Sequence, residues 1–385
     1  MKAVVWHGIG DIRLDAVPDP GIKEPTDAVI RITRSAICGT DLHFVRGTMG
    51  PMTEGTILGH EAVGVVETAG DDVRGFSPGD RVVVCSTIGC GHCSYCRAGY
   101  YAQCDVANPN GPDAGTCFFG GPQSTGPVNR LQAEYARIPY AAATLVRVPG
   151  QVSDDQAILV SDIFPTGWFG ARLAEVSRGD TVAVFGAGPV GQFAIASAQR
   201  QGAGRAVDGI ETRLAAALEQ NAEVIDFNDE DPVVVIKHLT GGIGADRVID
   251  AVGIEAQRPS SGPAAEQLAG QAGQFDAEQQ EAAPEARPDG GQWVPGDAPS
   301  LAGRWAVEAV AKAGSVGIIG VYAPQFDAYP IGQAMNKNLT VRMGNCNHRR
   351  YIPRLLDLVA TGLIDPAAFI TQQEKPDSAI GAYET

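Results

Sequence analysis

Cys90, Cys93, Cys96 and Cys104 follow one another as CxxCxxCx7C in a glycine-containing loop, a spacing that lets four thiolates converge on one tetrahedral ion. Four protein ligands close a zinc shell, so this set is expected to hold a structural metal and not a catalytic one. Chance clustering of core cysteines is the blander reading, and a zinc ribbon for nucleic acid a third, against which the absence of interleaved basic residues counts. A second set is dispersed: Cys38 in Cys38-Gly39-Thr40-Asp41-Leu42-His43, His60 in Gly59-His60-Glu61, and Asp162 in Ser161-Asp162-Ile163-Phe164-Pro165-Thr166-Gly167. These are suitable donor types for a catalytic zinc, which needs three protein ligands and an open fourth position. Spacing alone does not join them, and taken singly Cys38 reads as a small buried hydrophobe and His60 as a core histidine.

The third chemical signal is Gly186-Ala187-Gly188-Pro189-Val190-Gly191, which follows the apolar run Thr181 to Phe185 and opens a helical pattern. Glycines there permit a tight turn, close approach of the backbone to a pyrophosphate, and packing of helix on strand, while the helix N-terminus favours phosphate charge. Asp208 stands 22 residues beyond Gly186, where a carboxylate at the end of a second strand would take the adenosine ribose hydroxyls. It would repel a 2′-phosphate, so NAD is expected over NADP.

Two kinds of element must position these groups. The first 150 residues carry short alternating or β-branched runs, such as Ala28 to Thr33, Ala62 to Thr68 and Arg81 to Val84, separated by Gly, Pro and Asp turns, and read as a mostly β domain. From about Thr181 strands and helices alternate: Thr181 to Phe185, a helix from Pro189 to Gln201, then strands near Ala206, Val224, Val248 and Val316, which argues for a parallel α/β domain. The segment Arg205 to Asp208 is short for a central parallel strand, which usually has about 5 to 6 residues. Between Glu255 and Gly303 the rhythm stops; six Pro, seven Gln and few large apolar residues predict an insertion outside the core, with one helix across Ala264 to Glu281. After Leu339 to Met343 come the sequence GNCNHRRYIP and an amphipathic run from Tyr351 to Thr361.

At 385 residues two domains are expected, since a single core stops growing near ~250 to 300 residues. With 29 basic and 45 acidic side chains the formal net charge is −16, which disfavours nucleic acid and anionic membrane surfaces as partners. No apolar run approaches the ~20 residues of a membrane span and the start MKAVVWHGIG lacks a secretory layout, so a soluble cytoplasmic enzyme is expected. Eight cysteines, four of them crowded together, suit metal-bound thiolates in a reducing compartment.

The order CGTDLH, GHE, four-cysteine lobe, an acid before a Pro-Thr-Gly turn, then GxGxxG resembles the zinc-dependent medium-chain alcohol dehydrogenases over essentially the whole chain. SDIFPTGW, the insertion with SGPAAEQ and PGDAPS, and IGQAMNKNLT followed by MGNCNHR are similar to the branch of glutathione-independent formaldehyde dehydrogenase and formaldehyde dismutase. The resemblance implies an α/β architecture. A GroES-like catalytic domain would take residues 1–163 and 344–385, with a zinc lobe at 90–104, and a Rossmann NAD-binding domain residues 164–343, with the insertion at 255–303. It implies two zinc ions per chain, the catalytic one on Cys38, His60 and Asp162, with Glu61 beside them as a supporting or exchanging carboxylate. Thr40 and His43 match the family's proton relay, which runs from substrate through Thr40, a cofactor ribose hydroxyl and His43 to solvent. Gly39 stands where many relatives place a phosphate-binding Arg. Asp208 and Arg213 match the pair on the adenosine ribose, Thr166 and Val190 line the nicotinamide, Val252 and Val321 supply backbone contacts near it, and Gly186, Gly188, Pro189 and Gly191 form the pyrophosphate loop. The family fold places its active site in the cleft between domains and commonly assembles as a tetramer; the insertion corresponds to a loop that shields the adenine and slows cofactor release. The chain ends at Tyr383-Glu384-Thr385, where the resembled enzymes continue through a further strand. The expected reaction is hydride transfer between NAD and a small alcohol or aldehyde, with formaldehyde foremost; a general short-chain alcohol dehydrogenase, a zinc-free quinone reductase and a non-catalytic zinc-binding scaffold are the alternatives.

Overall fold

In a computed structural model, which describes residues 1–128, 131–201, 203–286 and 293–384 and of 203–207 the backbone alone, the chain divides into two units. The first comprises Met1–Pro165, Glu285–Val294 and Asn345–Thr385, the second Thr166–Pro284 and Pro295–Gly344. The division thus falls after Pro165 and Gly344, and the Glu285–Val294 part of the insertion belongs to the first unit, not to the nucleotide unit.

The β-branched runs of the first unit pair as expected for period-2 segments with one buried face. Strands β1 (Lys2–Gly8), β2 (Asp11–Ala16), β3 (Ala28–Ser35), β4 (Thr56–Ile57), β5 (Ala62–Ala69), β6 (Arg81–Val84), β7 (Tyr135–Ile138) and β8 (Leu145–Arg147) form two antiparallel sheets, ordered β2-β1-β4 and β7-β3-β5-β6-β8. The core of the larger sheet takes Ala28 and Ile30 of β3, Ala62 and Val66 of β5, and Val82 and Val84 of β6, and continues into the four-cysteine lobe through Ile88, Cys90, Cys96 and Cys104.

The second unit is a six-stranded parallel sheet ordered β11-β10-β9-β12-β13-β14, from β9 (Thr181–Phe185), β10 (Ala203–Asp208), β11 (Glu223–Asp226), β12 (Ala245–Asp250), β13 (Val310–Ile318) and β14 (Thr340–Met343). This is a doubly wound Rossmann sheet, so the α/β class holds. Alternation along β9 feeds two cores: Ala183 and Phe185 join Val248, Val316 and Ile318 on one face, Val182 and Val184 join Ile249 on the other. The second strand is longer than the sequence suggests, six residues from Ala203, and the helix after the glycine loop ends at Gln199.

The insertion is corrected in two respects. Its helical stretch is two helices, Gly262–Leu268 and Ala272–Ala282, joined by a tighter turn at Ala269–Gln271. It also contributes to the core, where Ala264, Leu268, Ala298 and the fully buried Phe275 pack with Trp305 and Val248. A single aromatic per amphipathic turn suffices to anchor an otherwise polar helix, which composition averaged over the segment conceals. Arg258 staples the ends, its backbone N–H and guanidinium donating to Asp297 at 2.7 and 2.9 Å. Residues 287–292 of the insertion lie outside the described residues.

Gly191 is where the sheet and its first helix come closest: a Cβ there would lie 1.8 Å from the Gly186 carbonyl oxygen, a backbone atom that cannot swing aside. Gly191→Ala is therefore expected to lower stability by about 2 kcal/mol or more, seen as a fall in the urea midpoint. Gly273→Ala, where a Cβ meets nothing within 4 Å, should leave that midpoint unchanged or slightly raised. Equal midpoints for the two variants would contradict the close approach.

Candidate functional site

Three separate segments of the first unit deliver Cys38, His60, Glu61 and Asp162 to one place, with one donor atom from each within 4.8 Å of the others. Cys38 caps helix Gly39–Arg46; Asp41, in its first turn, reaches back so that Oδ2 accepts the Cys38 N–H at 3.0 Å. His60 and Glu61 follow Gly59, whose positive φ of 94° and crowded Cα suit only glycine, since a Cβ there would lie 2.5 Å from Gln132. That stretch is pinned by Leu131 N donating to Gly59 O and Gln132 N donating to Leu58 O, at 3.1 and 2.9 Å. Asp162 is supplied by the end of helix Asp154–Leu159, which starts at a reciprocal Ser153–Gln156 cap. Ser161 then locks the turn: its hydroxyl donates to Val84 O at 2.6 Å and accepts Ala62 N–H at 3.2 Å, tying Asp162 to β5 and β6.

All four donors are buried, and the hydrogen bonding is incomplete. Neither ring nitrogen of His60 and neither carboxylate oxygen of Glu61 has a hydrogen-bond partner. Carboxylates nevertheless crowd the imidazole: Asp41 Oδ1 lies 3.2 Å from Nδ1 and Asp162 Oδ2 3.1 Å from Nε2. Burial pushes the Cys38 thiol up to about 11, and burial with the Asp162 charge pushes Glu61 up to about 8. Burial works against an ionised Asp162 too, but His348 and His60 outweigh it and hold this carboxyl well below the usual range. Buried thiol, imidazole and carboxylate donors facing one point, with those of His60 and Glu61 left without hydrogen bonds, are the composition a divalent transition metal takes, so the residues present fit a zinc ion.

Thr40 is the second residue of the same helix, its hydroxyl 3.9 Å from the Cys38 sulfur. His43 sits a further turn on and is buried, Nδ1 within 2.7 Å of Thr48 Oγ1. Gly39 occupies the first helical position, where a Cβ would meet nothing within 4 Å.

In the four-cysteine lobe the sulfurs of Cys90, Cys93, Cys96 and Cys104 also lie within 4.8 Å of one another, and all eight cysteines of the chain are free of disulfides. Backbone N–H groups point at the sulfurs: His92 and Cys93 donate to Cys90 Sγ at 3.4 and 3.3 Å, Cys96 to Cys93 Sγ at 3.4 Å, and Cys90 and Ala107 to Cys104 Sγ at 3.2 and 3.3 Å. Burial opposes ionisation of Cys93, yet the N–H groups of Cys96 and Asp105 bring it down to about 7. Such donors stabilise thiolate, the form that binds metal.

In the second unit, Gly186 turns with φ 88°, Gly188 precedes the helix, and Pro189 takes its first position, where a missing N–H costs nothing. Asp208 ends β10 and binds this loop directly, Oδ2 accepting Ala187 N–H at 2.7 Å while Oδ1 accepts from Gly209 and Ile210. Arg213 lies 3.7 Å from it, and its guanidinium borders Gly188. Val190, Val252 and Val321 are half-buried around the ends of the strands; Val252 Cγ2 would meet a Cβ on Gly186, and Gly253 pairs with Val321. Thr166 is half-buried in helix Ile163–Leu173. Several residues escaped sequence reasoning. Asp41, Ser161 and Gln132 support the donors, and buried Asp250 accepts from Val252 N, Gly253 N and the Tyr322 hydroxyl at 2.9, 3.0 and 2.8 Å. Asp41 alone had a local signal, its place three residues after the helix cap.

Residues 24–150 match the family described as alcohol dehydrogenase GroES-like domain. Over 377 residues, 96% of this chain and 92% of the relative, the sequence is 35% identical to the zinc-type alcohol dehydrogenase-like protein AdhB of Bacillus subtilis. It is 30% identical over 404 residues to an alcohol dehydrogenase of Cupriavidus necator, covering 94% of that protein. The solved structure of alcohol dehydrogenase TADH from Thermus sp. ATN1 superposes with a TM-score of 0.78 at 32% identity, covering 100% of this chain and 96% of that one. A glutathione-independent formaldehyde dehydrogenase of Pseudomonas aeruginosa is 37% identical, over 66% of each chain. With two converging donor sets in a GroES-like unit and a Rossmann sheet, the chain belongs to the zinc-type medium-chain alcohol dehydrogenase family. It is an oxidoreductase of that family, and among the described residues no helix is long and apolar enough to cross a membrane.

Proposed function

We propose that this chain is an NAD-dependent zinc dehydrogenase of small alcohols or aldehydes, with formaldehyde as leading substrate, its hydrate being oxidised to formate or two aldehydes being dismutated to formate and methanol. The observation that carries the reading is the buried convergence of Cys38, His60, Glu61 and Asp162 with orphaned donor atoms. Formaldehyde is supported by the SDIFPTGW and MGNCNHR resemblance and by the name of the partial Pseudomonas relative.

Cys38, His60 and Asp162 would hold the catalytic zinc, with Glu61 as a supporting carboxylate, and the four-cysteine lobe a second, structural zinc. A zinc ion in the first set supplies Lewis acidity, which favours loss of the proton from a substrate hydroxyl. Thr40 Oγ1 is the hydroxyl placed to receive that proton. His43, whose Nδ1 lies 2.7 Å from the Thr48 hydroxyl, would take the proton next through a cofactor ribose hydroxyl. From His43 the proton would pass to solvent. On the second unit the N–H groups of Gly188 and Val190 would take the pyrophosphate, and Asp208 with Arg213 the adenosine ribose. Thr166, Val190, Val252 and Val321 would border the nicotinamide. A cytoplasmic homotetramer completes the proposal.

The decisive assay follows NADH absorbance across a panel of small alcohols and aldehydes, with formate and methanol measured beside it. Formaldehyde is expected to lead and to give formate; a clear preference for a longer alcohol would replace this substrate reading with that of a general alcohol dehydrogenase. Metal analysis should find two zinc ions per chain, and Cys38→Ala should retain one while turnover falls by about 10³-fold or more. A single-zinc variant with normal turnover would remove the catalytic assignment. NAD should be strongly preferred to NADP, and Asp208→Gly should narrow that preference by about tenfold to a hundredfold. Equal rates with both cofactors in the parent enzyme would show that Asp208 does not meet the ribose.

A further inference from the structure

The two oxygens of Asp162 face different partners. Oδ2 lies 3.1 Å from His60 Nε2 and 4.0 Å from Cys38 Sγ, toward the converging donors, whereas Oδ1 lies 2.5 Å from His348 Nε2. His348 belongs to the MGNCNHR sequence, to which the reading above gives no role. It is 3% exposed and opens helix His348–Ala360. Its other nitrogen, Nδ1, is 3.0 Å from the hydroxyl of buried Thr87, which also reaches Cys346 O at 3.2 Å. With Asp162 on Nε2 and the Thr87 hydroxyl on Nδ1, both edges of the ring are engaged.

The strip carrying His348 is stitched to the four-cysteine lobe. Asn345 Nδ2 donates to Thr116 Oγ1 at 2.7 Å, and Asn347 Oδ1 accepts Ala102 N–H at 3.0 Å. The ring that meets Asp162 is thus fixed beside the four-cysteine lobe and Thr87.

A carboxylate can present one or two oxygens to a metal ion, and two would consume the position that an open site keeps for substrate. We propose that His348 is a positioning residue: by occupying Oδ1 it restricts Asp162 to a single metal-facing oxygen, Oδ2, and so preserves the open coordination position at the Cys38–His60–Asp162 site. The inference rests on the zinc reading above and adds a residue to it. It also accounts for how an aspartate serves there, since a hydrogen bond that takes up half of the carboxylate leaves a ligand with one donor atom.

The test is the visible spectrum of the cobalt(II)-substituted holoenzyme, with the spectrum of Cys38→Ala subtracted to isolate the catalytic site. Four-coordinate cobalt absorbs several-fold more strongly in its d–d bands than five-coordinate cobalt. Wild type should show the strong bands. His348→Leu should weaken them several-fold with metal content unchanged and lower turnover by about 10- to 100-fold. His348→Gln, which retains an N–H donor of similar reach, should restore both. Thr87→Val, which removes only the hydroxyl behind the ring, should move the spectrum in the same direction by a smaller amount, and keeps the inference testable if His348→Leu does not fold. Strong bands and full turnover in His348→Leu, or unchanged bands in Thr87→Val where His348→Leu is insoluble, would overturn the positioning role while leaving the zinc assignment intact. Cobalt uptake confined to the four-cysteine lobe in wild type would overturn both.

Discussion

Asp41, Glu61 and Asp162 bring three carboxyl groups into a region from which water is excluded, beside one imidazole and one thiol. Each ion buried in this way costs several kcal/mol unless opposite charge and hydrogen bonds offset it. The protein supplies part of that offset from within: Asp41 takes the Cys38 N–H and the Gln132 amide, Asp162 takes His348, and Ser161 holds the turn between them. The remainder, on Asp41 Oδ1, both His60 nitrogens and both Glu61 carboxylate oxygens, has no hydrogen-bond partner among the described residues. A divalent cation is the economical neutraliser of such a set, and the architecture of the first unit follows from the need to hold the donors still while it is bound. The antiparallel sheets, the glycine at 59 and the caps at Cys38 and Ser153 all converge on that requirement.

The same logic operates in the second unit with different chemistry. Asp208 and Asp250 end β10 and β12, and each uses both carboxylate oxygens on backbone N–H groups or a hydroxyl at the ends of the strands. Turns at the carboxyl ends of parallel strands leave such donors unpaired by the sheet, and a carboxylate satisfies two or three at once. Burial raises the Asp250 carboxyl, so its ionisation depends on that full complement of donors. The crevice where a doubly wound sheet binds dinucleotides is thus shaped by two acids before any cofactor enters.

Legibility in the sequence followed range. The parallel sheet was readable because apolar runs and turn residues act locally, and β9 falls on Thr181–Phe185 as its pattern indicates. The four-cysteine lobe was readable because its ligands are near neighbours. Cys38, His60 and Asp162 lie far apart in the chain, and only resemblance to a family joined them. Asp162 and His348 are separated by 186 positions, and nothing in either local pattern predicts their meeting. Phe275 failed for another reason: composition averaged over the insertion dilutes the one residue that docks it into the core.

In the function proposed above, Asp208 is at once a specificity residue and a structural one. Its Oδ2 holds Ala187 N–H inside the glycine loop while the same atom lies 3.7 Å from Arg213. A carboxylate that met only the ribose could be exchanged to change cofactor at little cost to the fold. Here exchange also removes the partner of the buried Ala187 N–H, which costs about 1–3 kcal/mol when left unpaired in the interior, and of the half-exposed N–H groups at Gly209 and Ile210. Selection for a 2′-phosphate would therefore have to rebuild the loop as well as remove a charge. On that reading the preference for a free ribose is coupled to the geometry of the phosphate loop through a single side chain.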